Sequence, residues 1–314
     1  LQRVKEVPAT WKKVDESVSK LCPTLSAAES ASTSSTCGAV KIADGLVGFL
    51  SGNFSESTWR DEYLGVDATV MIGTKGVATG YPDGATFQGA RAEWPVGSQG
   101  ENQPYHFANY NFTLVATVTI DGVLTKEGPI SLMGVKMDDD GKTVLLGLSY
   151  SNKEKKWMLL CGEEKSNELS SPWEPGKTHQ LAIVLQNGNQ STAYVDGQRV
   201  GDETCSLENT ESKDISHFYI GVGGDDAGSQ EEVSVTVTNV LLYSRPLDDA
   251  EIGVLNANKI SIPKLTDLKT VAEGATDEGT ARPGRAHGDG GAVRESGLLP
   301  LLLLLLGLWG FAAL

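Results

Sequence analysis

The chain has 314 residues, a formal net charge of -15 at pH 7 and a pI near 4.7. This acidity argues against nucleic acids and anionic membrane surfaces as partners, because both require patches of lysine and arginine. Glycine is abundant, with 36 residues, and short apolar runs alternate with serine and threonine. This composition favours an all-β fold over a helical one.

A helix is predicted near the start of the chain. Its apolar residues recur at alternating steps of three and four, which places them on one stripe: Val4, Val7, Trp11, Val14, Val18 and Leu21. Proline is tolerated in a first turn, so we expect the regular part to begin at Pro8 and to end before Pro23. A single helix must pack such a stripe against another surface. We therefore predict an interdomain helix over residues 1–22, an upstream domain outside this chain, and a linker over 23–39.

From about residue 40 to residue 262 the chain is a succession of short apolar runs separated by turn residues. This pattern predicts one β-sandwich of consecutive antiparallel strands. Asp121-Gly122 and Asp140-Gly141 lie between such runs, and we expect a hairpin at each. The acidic triplet that ends at Asp140 lacks the alternating ligands and distal glutamate of a calcium loop, which favours an acidic hairpin tip.

The segment Thr178–Val200 has the clearest hairpin pattern in this region. Apolar residues alternate on both sides of Asn187, which precedes a glycine, and a second turn is predicted at Asp196, which also precedes a glycine. We expect two strands of one sheet here, joined by a tight turn and followed by another.

A strand is predicted over Val233–Tyr243. Apolar and polar residues alternate strictly in its first half, which is typical of a strand buried on one face. Every second residue from Val233 onward is apolar, with a single interruption at Asn239: Val233, Val235, Val237, Leu241 and Tyr243. From Val240 the other parity also becomes apolar. We therefore expect the second half to be covered on both faces.

The strand is predicted to stop at Arg245-Pro246, because proline cannot donate to a β ladder. Asp248 precedes Glu251 by three residues, which is the spacing of a capping box and predicts a short helix that carries Ile252 and Leu255.

The four cysteines form no C-x-x-C pair and have no neighbouring histidine, which argues against a zinc site: Cys22, Cys37, Cys161 and Cys205. Three disulfide connectivities are possible. We favour pairing of sequence neighbours over free buried thiols. Three N-x-[ST] sequons, at Asn53, Asn111 and Asn189, together with paired cysteines indicate the secretory route and N-glycosylation.

The C-terminal end has the order of a GPI-attachment signal. The uncharged run Leu298–Leu314 follows a polar spacer and a cluster of small residues around Asp289. We expect lipid attachment at Asp289, in preference to the glycine on either side of it, with 263–289 a low-complexity stalk and 290–314 a removed propeptide. The alternative is a retained membrane helix, for which the run has the minimum length. The prediction places the protein on the outer leaflet of the plasma membrane.

Two motifs resemble known families. The run VTVTNVLLYSRPL at Val235–Leu247 resembles the VTVxNVxLYNRPL motif in the lectin-like domain of the trypanosomal trans-sialidase superfamily, with Ser244 in place of the usual asparagine. The hairpin that ends in Tyr194–Gly197 is similar to the YVDG hairpin of laminin-G and concanavalin A-like sandwiches. The resemblance implies an all-β fold, an antiparallel jelly-roll β-sandwich over 40–262, preceded by one long linker helix from a sialidase propeller.

The resemblance also implies where function lies. The catalytic residues of that superfamily, with its F-R-I-P and S-x-D-x-G-x-T-W motifs, belong to the propeller, and neither motif occurs in this chain. No catalytic residue, metal or cofactor is therefore predicted here. In adhesive members the strand motif is associated with binding host-cell components, which implies host cell-surface proteins or glycans as partners of these residues: Val235, Thr236, Val237, Asn239, Val240, Leu242, Tyr243 and Arg245.

The apolar members of this motif are patterned as core, so we expect only Thr236, Thr238, Ser244 and Arg245 to face outward. Three functions remain open: a non-catalytic adhesion or scaffold domain, the C-terminal part of an active sialidase or trans-sialidase, and a self-contained glycoside hydrolase.

The hydrolase requires two carboxylates facing each other across a cleft. Neither acidic doublet, Glu163-Glu164 or Glu231-Glu232, places both side chains on one face of a strand. Trp94 and Trp173 are candidates for sugar stacking, but we favour packing roles for both.

Overall fold

The computed structural model describes residues 2–19 and 42–257, except 56, 97–104, 122–127, 138–142, 163–164, 175, 208–213 and 223–232. Several predictions concern residues outside these ranges: those at Cys22, Cys37, the acidic triplet, both glutamate doublets, the stalk, Asp289 and the C-terminal tail. The chain divides into two units, Leu1–Val271 and Ala272–Leu314, and all described residues belong to the first.

The described helices are α1 (Gln2–Ser19), α2 (Asp249–Ala257) and a short 3-10 helix at His106–Asn109. Helix α1 begins six residues earlier than predicted, so Pro8 lies inside it. The expectation was wrong because the residues before Pro8 are mostly good helix formers, and a proline removes only one backbone hydrogen bond. Neither α1 nor α2 combines the length and apolarity needed to cross a bilayer.

The strands of the described region, in chain order, are β1 (Leu46–Phe54), β2 (Thr58–Asp61), β3 (Ala68–Tyr81), β4 (Gly84–Pro95), β5 (Phe112–Asp121), β6 (Pro129–Met137), β7 (Val144–Ser151), β8 (Lys156–Cys161), β9 (Lys165–Ser170), β10 (Thr178–Gln186), β11 (Gln190–Val195), β12 (Gln198–Arg199), β13 (Cys205–Ser206), β14 (Ile215–Gly221) and β15 (Ser234–Tyr243). All of their pairings are antiparallel. The all-β class is confirmed.

The strands form two layers of a sandwich. One layer contains β12, β11, β10, β5 and β15 in that order, and the other contains β14, β6, β7, β8 and β9. Strand β4 connects them, because its residues Gly84–Gln88 pair with β15 and Arg91–Pro95 pair with β14. Gly89 lies between these two parts and has a φ of 53°, a conformation that glycine adopts without strain. The predicted antiparallel sandwich is therefore confirmed.

The main core lies between the layers and is rich in aromatic side chains, among them Trp59, Phe87, Phe112, Trp157 and Phe218. Trp94 and Trp173 also belong to this core. The Trp94 indole N–H donates to the Val66 carbonyl oxygen at 2.6 Å. Both tryptophans therefore have the packing roles that the sequence favoured.

Two of the predicted turns have different outcomes. The hairpin at Asp121-Gly122 is wrong, since β5 pairs with β10 and β15, whereas β6 pairs with β14 and β7. An Asp-Gly dipeptide indicates a turn but does not specify which strands pair, and here the connection leads to the other layer. The prediction over Thr178–Val200 is confirmed, with β10 paired to β11 and positive φ at Asn187 and Asp196.

Candidate functional site

Strand β15, which carries the predicted binding motif, is interior to the sheet. It pairs with β5 on one side along most of its length. On the other side its first half pairs with β4 and its second half with β1. No edge of this strand is therefore open for an added strand, and a partner can reach the motif only through side chains.

A β-bulge at Asn239 divides β15 into two halves. The register with β5 shifts between Thr238 and Leu241, and Asn239 has a φ of 50°. Because one extra residue reverses the parity of the side chains, Val237 and Val240 both face the main core. The prediction of a single apolar parity from Val233 to Tyr243 was therefore wrong, since the interruption at Asn239 is a change of face.

The second half of β15 is covered on both faces, as predicted. Its inner side chains lie in the main core, and Leu241 and Tyr243 contribute to a second apolar cluster. This outer cluster is formed by Val14, Ile42, Leu46, Phe49, Tyr63, Val115, Ala182, Val184, Tyr194, Leu241, Tyr243, Leu247, Ile252 and Leu255. The ring of Tyr243 is fully buried there, and burial raises the pKa of its hydroxyl above the usual range.

Helix α1 is fastened to the sandwich through Tyr63, which follows β2. The Trp11 indole N–H donates to the Tyr63 carbonyl oxygen at 2.7 Å, and the Tyr63 hydroxyl donates to Asp15 at 2.5 Å. Val14, between them on the helix, is buried in the outer cluster. Of the predicted stripe, Val14 is buried against the sandwich and Trp11 contacts it through its indole N–H while its side chain stays about half exposed.

The turn that presents Tyr63 is organised by a buried carboxylate. Asp61 accepts backbone N–H groups from Phe49 at 2.8 Å, Tyr63 at 3.1 Å and Gly65 at 3.0 Å. Burial raises the pKa of Asp61 to about 6, although these three donors oppose the shift. The carboxylate thereby connects β1 to the loop on which α1 docks.

Arg245, the last charged residue of the motif, joins β15 to helix α2. Its guanidinium donates to both carboxylate oxygens of Glu251, at 2.9 and 2.7 Å, and its Nε donates to the Asp44 carbonyl oxygen at 2.8 Å. Glu251 also accepts the Asp248 N–H at 3.0 Å and donates its own N–H to the Asp248 carboxylate at 2.8 Å. The predicted capping box is confirmed, and hydrogen bonding by Arg245 lowers the pKa of Glu251.

A buried hydroxyl stabilises the bend at Arg245-Pro246 by hydrogen bonding. The Thr113 hydroxyl donates to the Arg245 carbonyl oxygen and accepts the Leu247 N–H, both at 2.9 Å. Ser244, where the superfamily motif has asparagine, donates its backbone N–H to Gly45 at 2.8 Å and its hydroxyl to the same carbonyl oxygen at 3.2 Å. The serine therefore closes this corner without an amide.

The first half of β15 presents a row of threonines on the outer surface. The row crosses five paired strands and consists of Thr79, Thr86, Thr236, Thr119 and Thr178. Within it the hydroxyls of Thr86 and Thr236 are 2.7 Å apart, and those of Thr119 and Thr178 are 2.9 Å apart. Thr236 also donates to Asp121 at 2.8 Å. We call these five residues the threonine row.

The structure separates the predicted motif residues into two groups. Thr236, Thr238, Ser244 and Arg245 are partly exposed, which confirms the expected outward set. The other motif residues are buried: Val235, Val237, Asn239, Val240, Leu242 and Tyr243. Sequence reasoning missed the other four members of the row, although β5 carries threonine on its polar parity just as β15 does: Thr79, Thr86, Thr119 and Thr178. Binding of a host partner by the motif stays a prediction.

Two sequons lie at one corner of the sandwich. Asn189 is exposed in the β10–β11 turn, and the side chain of Asn111 accepts the Asn187 N–H at 2.9 Å. Asn53 is exposed on β1. Glycosylation at all three stays a prediction. The Cys161–Cys205 disulfide is present, with 6.4 Å between the Cα atoms. Within the described ranges no group of three or more histidine, cysteine or acidic residues is placed to hold a metal ion.

Comparison with known proteins identifies the family. The model of the trans-sialidase C-terminal domain matches residues 42–250, and the model of the hydrophobic C-terminal segment of Trypanosoma trans-sialidases matches residues 290–314. The chain belongs to the trans-sialidase superfamily. Its described fold corresponds to the lectin-like β-sandwich at the C-terminal end of these proteins.

Superfamily members from two trypanosomes are similar to this chain. Sialidase 85-1.1 of Trypanosoma cruzi is 35% identical over 99% of the chain and 41% of its own length. Another Trypanosoma cruzi sialidase is 41% identical over 53% of the chain and 14% of its own length. The structure of Trypanosoma rangeli sialidase in complex with sialic acid superimposes with a TM-score of 0.69 and 37% identity, covering 82% of the chain and 39% of that protein. The chain thus spans less than half of each of these relatives.

Proposed function

We propose that this chain is the non-catalytic, lectin-like C-terminal domain of a trans-sialidase-like surface glycoprotein. In this role it holds an upstream sialidase-like domain at a fixed position and contributes to adhesion to host cell-surface proteins or glycans. The observation that carries the proposal is the fastening of α1 to the sandwich through Trp11, Asp15 and Tyr63.

Scaffolding is supported by the rigidity of this attachment. Helix α1 has 18 residues, and it is held by two hydrogen bonds to Tyr63 and by burial of Val14. A domain joined to the other end of such a helix has its orientation set by the sandwich, whereas a flexible linker leaves the orientation free.

Adhesion is supported by the outward surface of the motif. The threonine row lies on the outer face of the sheet, and β15 is paired on both sides, so the row can offer its hydroxyls to a partner without any unfolding. Thr236 is the motif residue at its centre, with Asp121 as a neighbouring acceptor. A partner that donates and accepts hydrogen bonds matches this surface, because a hydroxyl can do both.

Anchoring at the cell surface is supported by the match of residues 290–314 to the hydrophobic C-terminal segment of Trypanosoma trans-sialidases. With attachment at Asp289, the protein is held on the outer leaflet by a GPI lipid.

The test displays the full chain on transfected cells. We expect phosphatidylinositol-specific phospholipase C to release it, and we expect the displaying cells to bind host-cell monolayers more strongly than control cells do. The Thr236→Ala/Thr238→Ala variant is expected to lose most of this gain, while the matched control Thr69→Ala, at an exposed threonine of β3 outside the threonine row, keeps it. Resistance to the phospholipase contradicts the anchor, and unchanged adhesion of the double variant contradicts the contact surface.

The second candidate is that this chain is the C-terminal part of a catalytically active sialidase or trans-sialidase. The sequence identity of 35% to Sialidase 85-1.1 and of 37% to Trypanosoma rangeli sialidase favours it. Hydrolysis of sialyllactose by the longer parent protein supports this candidate, and lack of hydrolysis by a folded parent supports the adhesive one.

A further inference from the structure

A groove of about 400 Å³ lies on the outer surface where β10, β11 and β12 meet the start of helix α2. Small-molecule sites in proteins have volumes of about 300–1,000 Å³, so this groove has room for a small ligand. Its apolar floor includes Val184 and Leu247, which are buried in the outer cluster.

Polar side chains surround this floor and offer both donors and acceptors. Exposed amides come from Gln186 and Gln190, which face each other across the β10–β11 pair, and the Thr192 hydroxyl follows on the same strand face. An amide donates and accepts at once, and a hydroxyl does the same. The hydroxyl groups of a sugar require this dual capacity, and the C–H face of a sugar ring matches an apolar floor.

The segment that begins at the end of the superfamily motif forms part of the floor and one wall of the groove. Leu247, the last residue of the motif, lies in the floor, and Asp248 and Asp249 lie in the wall. The position of this wall is set by the Arg245–Glu251 ion pair and by the Tyr194 hydroxyl, which donates to Asp249 at 2.6 Å. Arg245 of the motif thereby has an indirect role, because its ion pair with Glu251 positions a wall that the arginine does not itself form.

The charge of the groove selects against acidic sugars. Among the described residues that line the groove, two aspartates are negatively charged and one residue, Arg199, is positively charged; Arg199 donates to the Thr204 hydroxyl at 2.5 Å. A carboxylate in the groove lies near both aspartates, and like charges at short range repel. The groove therefore suits uncharged saccharides.

A source of such a saccharide lies on the rim. The exposed sequon residue Asn189 is in the turn between Gln186 and Gln190, the two amide residues of the groove. A glycan attached there begins beside the groove, so an uncharged saccharide can come from the chain itself or from a host surface. The chemistry of recognition is the same in both cases.

We propose that this groove, bounded by Gln186, Gln190, Thr192 and the Leu247–Ala250 segment, is a binding site for an uncharged saccharide. The proposal rests on the adhesive part of the proposed function and names the ligand class that one surface of the domain takes. It assigns the motif a positioning role toward this groove, in addition to the outward contact of its threonines.

The test uses the full chain purified from cells that attach N-glycans, and its probes are lactose, N-acetyllactosamine and sialyllactose. Affinities are measured by titration calorimetry, and contacts by ligand-observed NMR. We compare the unaltered chain with Asn189→Gln, which removes the rim glycan, and with Asn189→Gln/Gln190→Ala/Thr192→Val, which removes groove hydrogen bonds. Asn189→Gln/Gln88→Ala is the matched control, because Gln88 is an exposed glutamine on β4, away from the groove.

We expect the Asn189→Gln chain and its control to bind lactose or N-acetyllactosamine, and the groove variant to bind about tenfold more weakly. Equal binding by the unaltered chain identifies a host saccharide as the ligand, whereas binding only after Asn189→Gln identifies the chain's own glycan. Absence of binding to both uncharged probes overturns the proposal. Sialyllactose binding as tight as lactose overturns the charge argument.

Failure of the groove proposal is distinguishable from failure of the proposed adhesive function. Adhesion of displaying cells to host monolayers is measured on the same variants. If Thr236→Ala/Thr238→Ala lowers adhesion while no uncharged sugar binds, the groove proposal fails and the adhesive function stands.

Discussion

The two halves of β15 differ in both composition and surroundings, since the first alternates valine with serine and threonine and the second is entirely apolar after Asn239. Before Asn239 the strand is buried on one face, and its other face carries the threonine row. After Asn239 both faces are buried, one in the main core and one in the outer cluster beneath α1 and α2. One bulge residue separates a half that can contact a partner from a half that holds the domain together.

This difference shows how a sequence motif can be associated with adhesion while most of its residues are inaccessible. The second half of β15, with Arg245, positions α2 and supports the cluster on which α1 docks. Substitutions there are expected to alter adhesion by disturbing the fold. Substitutions in the first half are expected to act at the surface, and the predictions below separate these two effects.

The largest effect is expected from Tyr243→Ala in the second half. The ring is fully buried, and its loss leaves a cavity in the outer cluster. Removal of a buried aromatic ring typically costs about 3–5 kcal/mol. We expect the free energy of unfolding to fall by that amount in urea titrations, and limited proteolysis to reach α1 sooner.

The control for this prediction is Tyr243→Phe. The Tyr243 hydroxyl is buried and has no hydrogen-bond partner within the described part of the chain. Its removal is expected to leave stability unchanged or to raise it, because an unsatisfied buried hydroxyl costs free energy. A loss as large as that of Tyr243→Ala contradicts the packing role assigned to the ring.

The second prediction concerns the bulge itself. Asn239 has a positive φ, and a β-branched residue is strained in that conformation, so Asn239→Val is expected to cost about 2 kcal/mol. Asn239→Gly is expected to stay within about 1 kcal/mol of the unaltered chain, because glycine adopts this φ freely. Both are measured by chemical denaturation. Equal losses for the two variants show that the bulge does not depend on backbone conformation.

The sequence predicted much of this arrangement, because the decisive signals were local. The capping box at Asp248 and the turn at Asn187 depend on residues close in the chain, and both are confirmed. The predicted face of Leu241 was wrong, because a β-bulge moves every later side chain of the strand to the opposite face of the sheet. An asparagine inside a strand pattern does not by itself indicate a bulge.

The surface row was not predicted because it depends on register between distant segments. Thr86 and Thr236 are 150 residues apart in the chain and meet only through the pairing of β4 with β15. The β5 connection was misassigned for the same reason. The residues of a turn do not indicate whether the next strand joins the same layer or the other layer. An Asp-Gly dipeptide therefore cannot distinguish a hairpin from a crossover.

The third prediction uses pH to measure the connection from β15 to α2. Hydrogen bonding by Arg245 lowers the pKa of Glu251, so its stabilising contribution is present above the ordinary value of 4.5 and is lost as pH falls through the lowered value. We expect Glu251→Gln to cost about 1 kcal/mol at pH 7, and the difference from the unaltered chain to shrink below pH 4.

The pH effect is measured as a difference in stability between the two chains, because the contribution of Asp61 to stability changes with pH in the opposite direction. Its pKa is raised to about 6, so its contribution is fully present below its usual pKa of 3.8 and is lost as pH rises through about 6. This change is shared by the unaltered chain and Glu251→Gln, so it cancels in their difference. A difference that is constant from pH 3 to pH 7 contradicts the ion pair.

The smallest effect on stability is expected from Thr236→Val in the first half. The substitution keeps the β-branched shape and removes the hydroxyl that meets Thr86 and Asp121. Because these hydrogen bonds are partly exposed, water replaces them, and we expect a loss below about 0.5 kcal/mol in urea titrations. The same variant is expected to weaken adhesion of displaying cells. If Thr236→Val instead destabilises the domain as much as Asn239→Val does, the first half of β15 is structural too, and its adhesive role loses its physical basis.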